Sequence, residues 1–169
     1  MSAETSTAKT EATALSDEEF LRHFEACTLP YVHWTHRAHL RVAYLYVTRF
    51  GLEGAIPKVT AGIRAYNKSQ GIEDTPTSGY HETMTVAWLH LVAAMLAEYG
   101  PTGAVYPNSP PLLGPDAPPS LEFLEAQLQL REKKLLRLYY SRARFGSPEA
   151  KYSFVPPDLT PFTGTASEL

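Results

Sequence analysis

With 169 residues, 44% apolar and 20% charged, the chain has the make-up of one globular domain able to bury its own core, and wholesale disorder is excluded. Fifteen basic residues stand against 18 acidic ones, a formal net charge of -3, and no basic stripe offers itself to nucleic acid. A single cysteine, Cys27, excludes an internal disulfide and a thiolate metal cluster, and is expected as a small buried apolar residue.

Residues 1–14 are rich in Ser, Thr and Ala and read as a disordered tail, with no apolar stretch of the secretory kind and no Arg-rich transit pattern. Ser16 and Glu19 have the spacing of a capping box, opening a first helix in which Phe20, Phe24 and Cys27 form the apolar stripe and which Pro30 closes. Thr35 is placed to cap a second helix from His36 to about residue 50, ended by Gly51. A third predicted helix covers 53–68, with Pro57 near its start. "GIEDTPTSG" reads as a loop, and a fourth helix runs from about Tyr80 to Tyr99. Its "LVAAMLA" is the longest apolar run, far short of the roughly 20 residues of a membrane span.

Segment 101–119 holds seven of the fourteen prolines, so it is expected as a long ordered wrap or a lid. A fifth helix, possible to break near its middle, is predicted after Ser120. The aromatic-rich stretch that follows is expected to pack back across the bundle. No alternating strand pattern competes. The fold expected is therefore an all-α, single-domain bundle of about five helices over 15–162, with 163–169 as a tail, and the compartment expected is the cytoplasm.

The unusual feature is "HWTHRAHLR", which sets His33, His36 and His39 three residues apart. On a helical wheel His36 lies within about 40° of Leu40, Ala43, Val47 and Phe50, and His39 lies about 60° to one side, at the border of that stripe. "GYHET" repeats the arrangement: His81 shares a face with Thr85, Trp88, Val92 and Met95, whereas His90 falls on the opposite, solvent side. If the two helix starts meet, His36, His39 and His81 converge on one divalent first-row transition metal, as facing helices of bundles build such sites. Imidazoles alone do not select among Fe, Cu and Zn.

Glu82 has several readings: a fourth ligand, the catalytic base beside metal-bound water, an acceptor for an imidazole N–H, or simply an anion at a helix N-terminus. The expected function is a small metal-dependent enzyme acting on a small organic substrate. Fe or Cu oxidative chemistry is slightly preferred over Zn hydrolytic or lyase chemistry. Three buried histidines without a metal, or an anion held at the two helix ends, are the alternatives. Substrate contacts are expected from Arg142 and Tyr139 in "YYSRARFGS", and from His33 and Trp34 as pocket wall. A non-catalytic bundle binding a small anionic or aromatic ligand would use these residues without a metal, whereas a partner of a larger enzyme would dock through the Pro-rich loop and not need the histidines.

The blocks "HRAHLRVAYLYV", "GYHETMTVAWL" and "LLRLYYSRARFGSPEAKYSFVPPDL", in that order over residues 33–160, resemble a family of small uncharacterised helical bacterial proteins with HxxHLR, YHET and YYS…FSPEA…PD blocks. The resemblance implies that His36, His39, His81 and Glu82 are the residues of interest, and it implies no activity. Tyr152-Ser153-Phe154 departs from the tryptophan expected near the end of that pattern.

Overall fold

In the computed structural model, which describes residues 15–100 and 117–163, the chain is all-α. Six helices carry the described residues: α1 (Asp17–Glu25), α2 (His36–Ser69), α3 (Glu82–Tyr99), α4 (Pro119–Ala126), α5 (Arg142–Phe145) and α6 (Pro148–Tyr152). Short 3-10 turns fill Tyr31–His33, Leu128–Arg131 and Lys133–Leu138. The expected tail 1–14, most of the Pro-rich loop and residues 164–169 lie outside the described residues. Among the described residues no helix is long and apolar enough to cross a membrane.

α1 begins as the sequence predicts. Ser16 Oγ accepts from Glu19 N–H and the Glu19 carboxylate accepts from Ser16 N–H, so two helix-end donors are satisfied reciprocally. Its end comes before Pro30, because Thr28 N–H reaches the His23 carbonyl (2.8 Å) and Cys27 N–H reaches that of Phe24 (3.0 Å). That pattern closes a Schellman turn and puts Cys27 in the left-handed region at φ 56. Cys27 is half-buried rather than buried, and it occupies a position that favours glycine. Cys27→Gly is therefore expected to raise stability by about 0.5–1 kcal/mol, the relieved strain exceeding the added chain entropy. A lowered urea midpoint would show instead that packing of the thiol outweighs the strain.

α2 is the centre of the bundle. Residues 41–47 are all buried, as a helix surrounded on every side must be, and α3 is its most extensive neighbour. The two helices expected at 36–50 and 53–68 follow one another within this 34-residue span and are separated at Gly51, whose φ of 69 and ψ of 172 no helical residue adopts. Thr35 caps it as expected, Oγ1 accepting from Ala38 N–H at 3.3 Å. Phe20 and Phe24 of α1 and Phe123 and Leu124 of α4 pack into the same core.

The fifth predicted helix survives only as α4. Gln127, fully buried at φ -100 and ψ 69, ends it, and Glu132 is extended, its carboxylate accepting from Lys134 N–H. The C-terminal stretch does pack back. Thr83 Oγ1 donates to the Ser153 carbonyl (2.9 Å) and accepts from Val155 N–H (3.1 Å), and Tyr140 donates to the Val155 carbonyl (2.9 Å). Phe154 and Phe162 then both stack on His90, at 5.6 and 4.8 Å between ring centres. The expectation that His90 faces solvent is thereby corrected: the returning segment, invisible to a wheel of one helix, covers it.

Candidate functional site

The histidines expected to converge are each held by local partners. His36, the first residue of α2, donates from Nε2 to the Leu130 carbonyl at 2.9 Å and lies edge-on to Trp88 of α3. His39 donates from Nδ1 back to the Thr35 carbonyl at 2.7 Å, with its ring 4.0 Å from that of Trp34. A carbonyl only accepts, so both tautomers follow from the geometry. Burial pushes the His36 pKa down and pushes that of His39 to about 4, so both are neutral at pH 7.

His81 is not in the first turn of α3 but is its N-cap. Nδ1 accepts from Met84 N–H at 3.1 Å, and Nε2 donates to the Phe145 carbonyl at 3.3 Å, with the ring stacked on Phe145. Both ring nitrogens are thus committed, and burial lowers the pKa. His81 leaves no lone pair for a metal, and of the ring nitrogens of these three histidines His36 Nδ1 and His39 Nε2 have no hydrogen bond among the described residues. Catalytic zinc sites keep three protein ligands. Among the described residues no group of three or more His, Cys, Asp or Glu side chains is placed to hold a metal ion.

The expected substrate contacts fall in separate neighbourhoods. Trp34 packs against Phe24, His39 and Tyr66, and His33 keeps a buried Nδ1 with no hydrogen bond among the described residues. Tyr139 packs on Phe162 and gives its carbonyl to Leu159 N–H, while Arg142 is exposed at the start of α5.

Glu82 belongs to a different place. Gly79 makes the turn before it, at φ 82, where a β-carbon would stand 2.6 Å from the Glu73 carbonyl oxygen. The turn sends Tyr80 inward and Glu82 to the first position of α3, on the wall of an open cleft of about 540 Å³. The cleft lies between the second half of α2 (Thr60, Ala61, Arg64), the start of α3 (Glu82) and the end of α6 (Tyr152, Ser153, Phe154). Glu82 Oε2 accepts from the Tyr80 hydroxyl at 2.7 Å and, at a loose 3.4 Å, from Arg64. Arg64 lies over the Tyr80 ring, 4.5 Å from its centre. Burial and the Glu82 carboxylate push the Tyr80 pKa up, so its hydroxyl remains a donor at every physiological pH.

Lys151 fixes the third wall. Its buried ammonium donates to Asp74 Oδ1 (2.7 Å) and to the Tyr80 carbonyl, tying α6 to the 72–81 turn. Neither Lys151 nor Arg64 is marked by sequence. An Arg or Lys on a helix reads the same whether its head group lies in solvent or over a buried tyrosine.

Comparison with protein-family models, with curated proteins and with solved structures finds no match for this chain.

Proposed function

We propose that the chain is a non-catalytic helical bundle that binds a small aromatic or anionic molecule in the cleft between α2, α3 and α6. One observation carries this reading: a loosely paired Arg64 and Glu82 stand beside two aromatic side chains left in solvent, Tyr152 at 53% and Phe154 at 37% exposure. Small-molecule sites combine apolar walls with a few charged or polar groups that fix orientation, and the volume falls within their usual range. Arg64, its side chain 55% exposed, keeps further N–H groups beyond the one given to Glu82. The walls come from helices pinned by Lys151 and Thr83, so the cleft exists before any ligand arrives.

A metal-dependent enzyme, the other reading, needs a donor set that the three histidines do not supply, since His81 spends both nitrogens on its cap and on Phe145. Two measurements separate the readings. Amide NMR with phenylacetate as probe is expected to move the resonances of Thr60, Arg64, Glu82 and Ser153, and to leave those of Trp34 and His39 in place. Metal analysis of tag-free protein is expected to give well under one equivalent of Fe, Cu or Zn. One equivalent, lost in His36→Ala, would overturn the proposal in favour of a metal centre.

A further inference from the structure

The charges of the cleft narrow the ligand further, on the premise that the cleft is the binding site. We infer that it selects a zwitterion of the amino-acid type: a carboxylate and an ammonium close together, attached to an aromatic or other flat apolar side chain. Glu82 takes both of its hydrogen bonds on Oε2, and among the described residues Oε1 accepts none, although the side chain is only 19% exposed. A carboxylate oxygen that is half withdrawn from water and lacks a donor favours an incoming N–H. Arg64 offers the converse. One of its amino groups reaches Glu82 at 3.4 Å, long for a charge-assisted bond, and its other N–H groups are uncommitted among the described residues.

A ligand with one charge, such as phenylacetate, satisfies only half of this pair and is expected to bind more weakly than one with both. A simple anion that approaches Arg64 also meets the Glu82 carboxylate, and a simple amine that approaches Glu82 also meets the guanidinium. A zwitterion faces neither penalty. Its carboxylate lies against Arg64 and its ammonium against Glu82 Oε1, so the two charges of the protein and the two of the ligand alternate in sign. Tyr152 and Phe154, exposed on the neighbouring wall, are left to cover the apolar side chain.

Calorimetry with three compounds of one ring tests this: L-phenylalanine, 3-phenylpropanoate without the amine, and phenethylamine without the carboxylate. Phenylalanine is expected to bind about tenfold more tightly than either. Glu82→Gln, which keeps an acceptor for Tyr80, is expected to abolish the advantage over 3-phenylpropanoate, with an unchanged circular dichroism spectrum and thermal midpoint confirming the fold. Binding of 3-phenylpropanoate as tight as that of phenylalanine, with the cleft resonances shifted, would overturn the zwitterion and leave the cleft as a binding site. No shift of the cleft resonances with any of the three would overturn both.

Discussion

Arg41→Ala is expected to cost about 3–5 kcal/mol of folding free energy, the range for removing one partner of a buried ion pair. Arg41 is only 2% exposed. Its Nε donates to Asp17 Oδ1 (3.2 Å) and Ser120 Oγ (2.9 Å), and its Nη2 to the Leu15 carbonyl (2.6 Å) and Asp17 Oδ1 (3.0 Å), while Phe20 covers the face of the guanidinium at 4.4 Å. Asp17 in turn accepts Ser120 N–H (3.2 Å) and the Ser120 hydroxyl. α4 begins at Pro118-Pro119 with no side-chain cap of its own, so this carboxylate serves as the anion at its N-terminus. One guanidinium therefore joins the start of α1, the core of α2 and the start of α4.

Truncation leaves Asp17 charged, mostly buried and without its counter-ion, which is where most of the penalty arises. Arg49→Ala provides the comparison. Its ion pair with Glu18 is largely in water, and its loss is expected to cost under about 1 kcal/mol. Urea unfolding at pH 7 measures both. A loss below about 1 kcal/mol for Arg41→Ala would mean that the three elements are held by apolar packing alone. The double variant Asp17→Asn/Arg41→Met is expected to recover part of the loss, because no uncompensated charge remains.

The parts of this fold legible in the sequence are those fixed within a few residues. The Ser16–Glu19 box, the Thr35 cap and the break at Gly51 each depend on neighbours in the chain, and each is found where spacing predicts it. The apolar pattern of 120–140 misleads because the buried residues after α4, Leu130 and Leu136, belong to successive 3-10 turns and Tyr140 to the bend that follows them, rather than to one helical face. The histidines are a different case. A wheel states which way His36 and His81 point, and both do point inward, but it cannot state what they meet. Leu130 lies 94 residues from His36 and Phe145 lies 64 residues from His81, and each of those carbonyls accepts an imidazole N–H. Arg64 left no signal, and Tyr152 and Phe154 stood out only as aromatic residues of the returning segment. Their significance is that α2, α3 and α6 leave a gap between them, which is a property of packing and not of pattern.

Acid is expected to loosen the fold well above the pH at which carboxylates protonate, because four half-buried histidines favour the neutral form in the folded chain. Burial lowers the pKa values of His36, His81 and His90, and lowers that of His39 to about 4. In the unfolded chain each titrates near 6.5. The unfolded state thus takes up protons first as pH falls. The stability these residues support is complete above about 6.5, declines as pH drops below that value, and stops declining once pH passes the folded-state pKa, near 4 for His39. Between pH 7 and pH 5 the loss from His39 alone is expected to be about 1–2 kcal/mol, discounted because the ring is only partly buried, and the other three act in the same direction.

His81 is the member with the most to lose. Protonation would place an N–H on Nδ1 where Met84 N–H now donates, set a positive charge at the positive end of α3, and bring it toward the Lys151 ammonium, which already disfavours it. Asparagine is a good N-cap that does not titrate, so His81→Asn is expected to keep the Met84 bond, give up the Phe145 stack, and flatten the pH dependence between 7 and 5. Urea unfolding at half-unit pH steps on both proteins, with imidazole proton shifts followed alongside, reads the slope and the four midpoints together. A flat stability profile over that interval, or a His81 midpoint at or above that of an unfolded-chain histidine, would show that the ring is free to charge and does not serve as the neutral cap of α3.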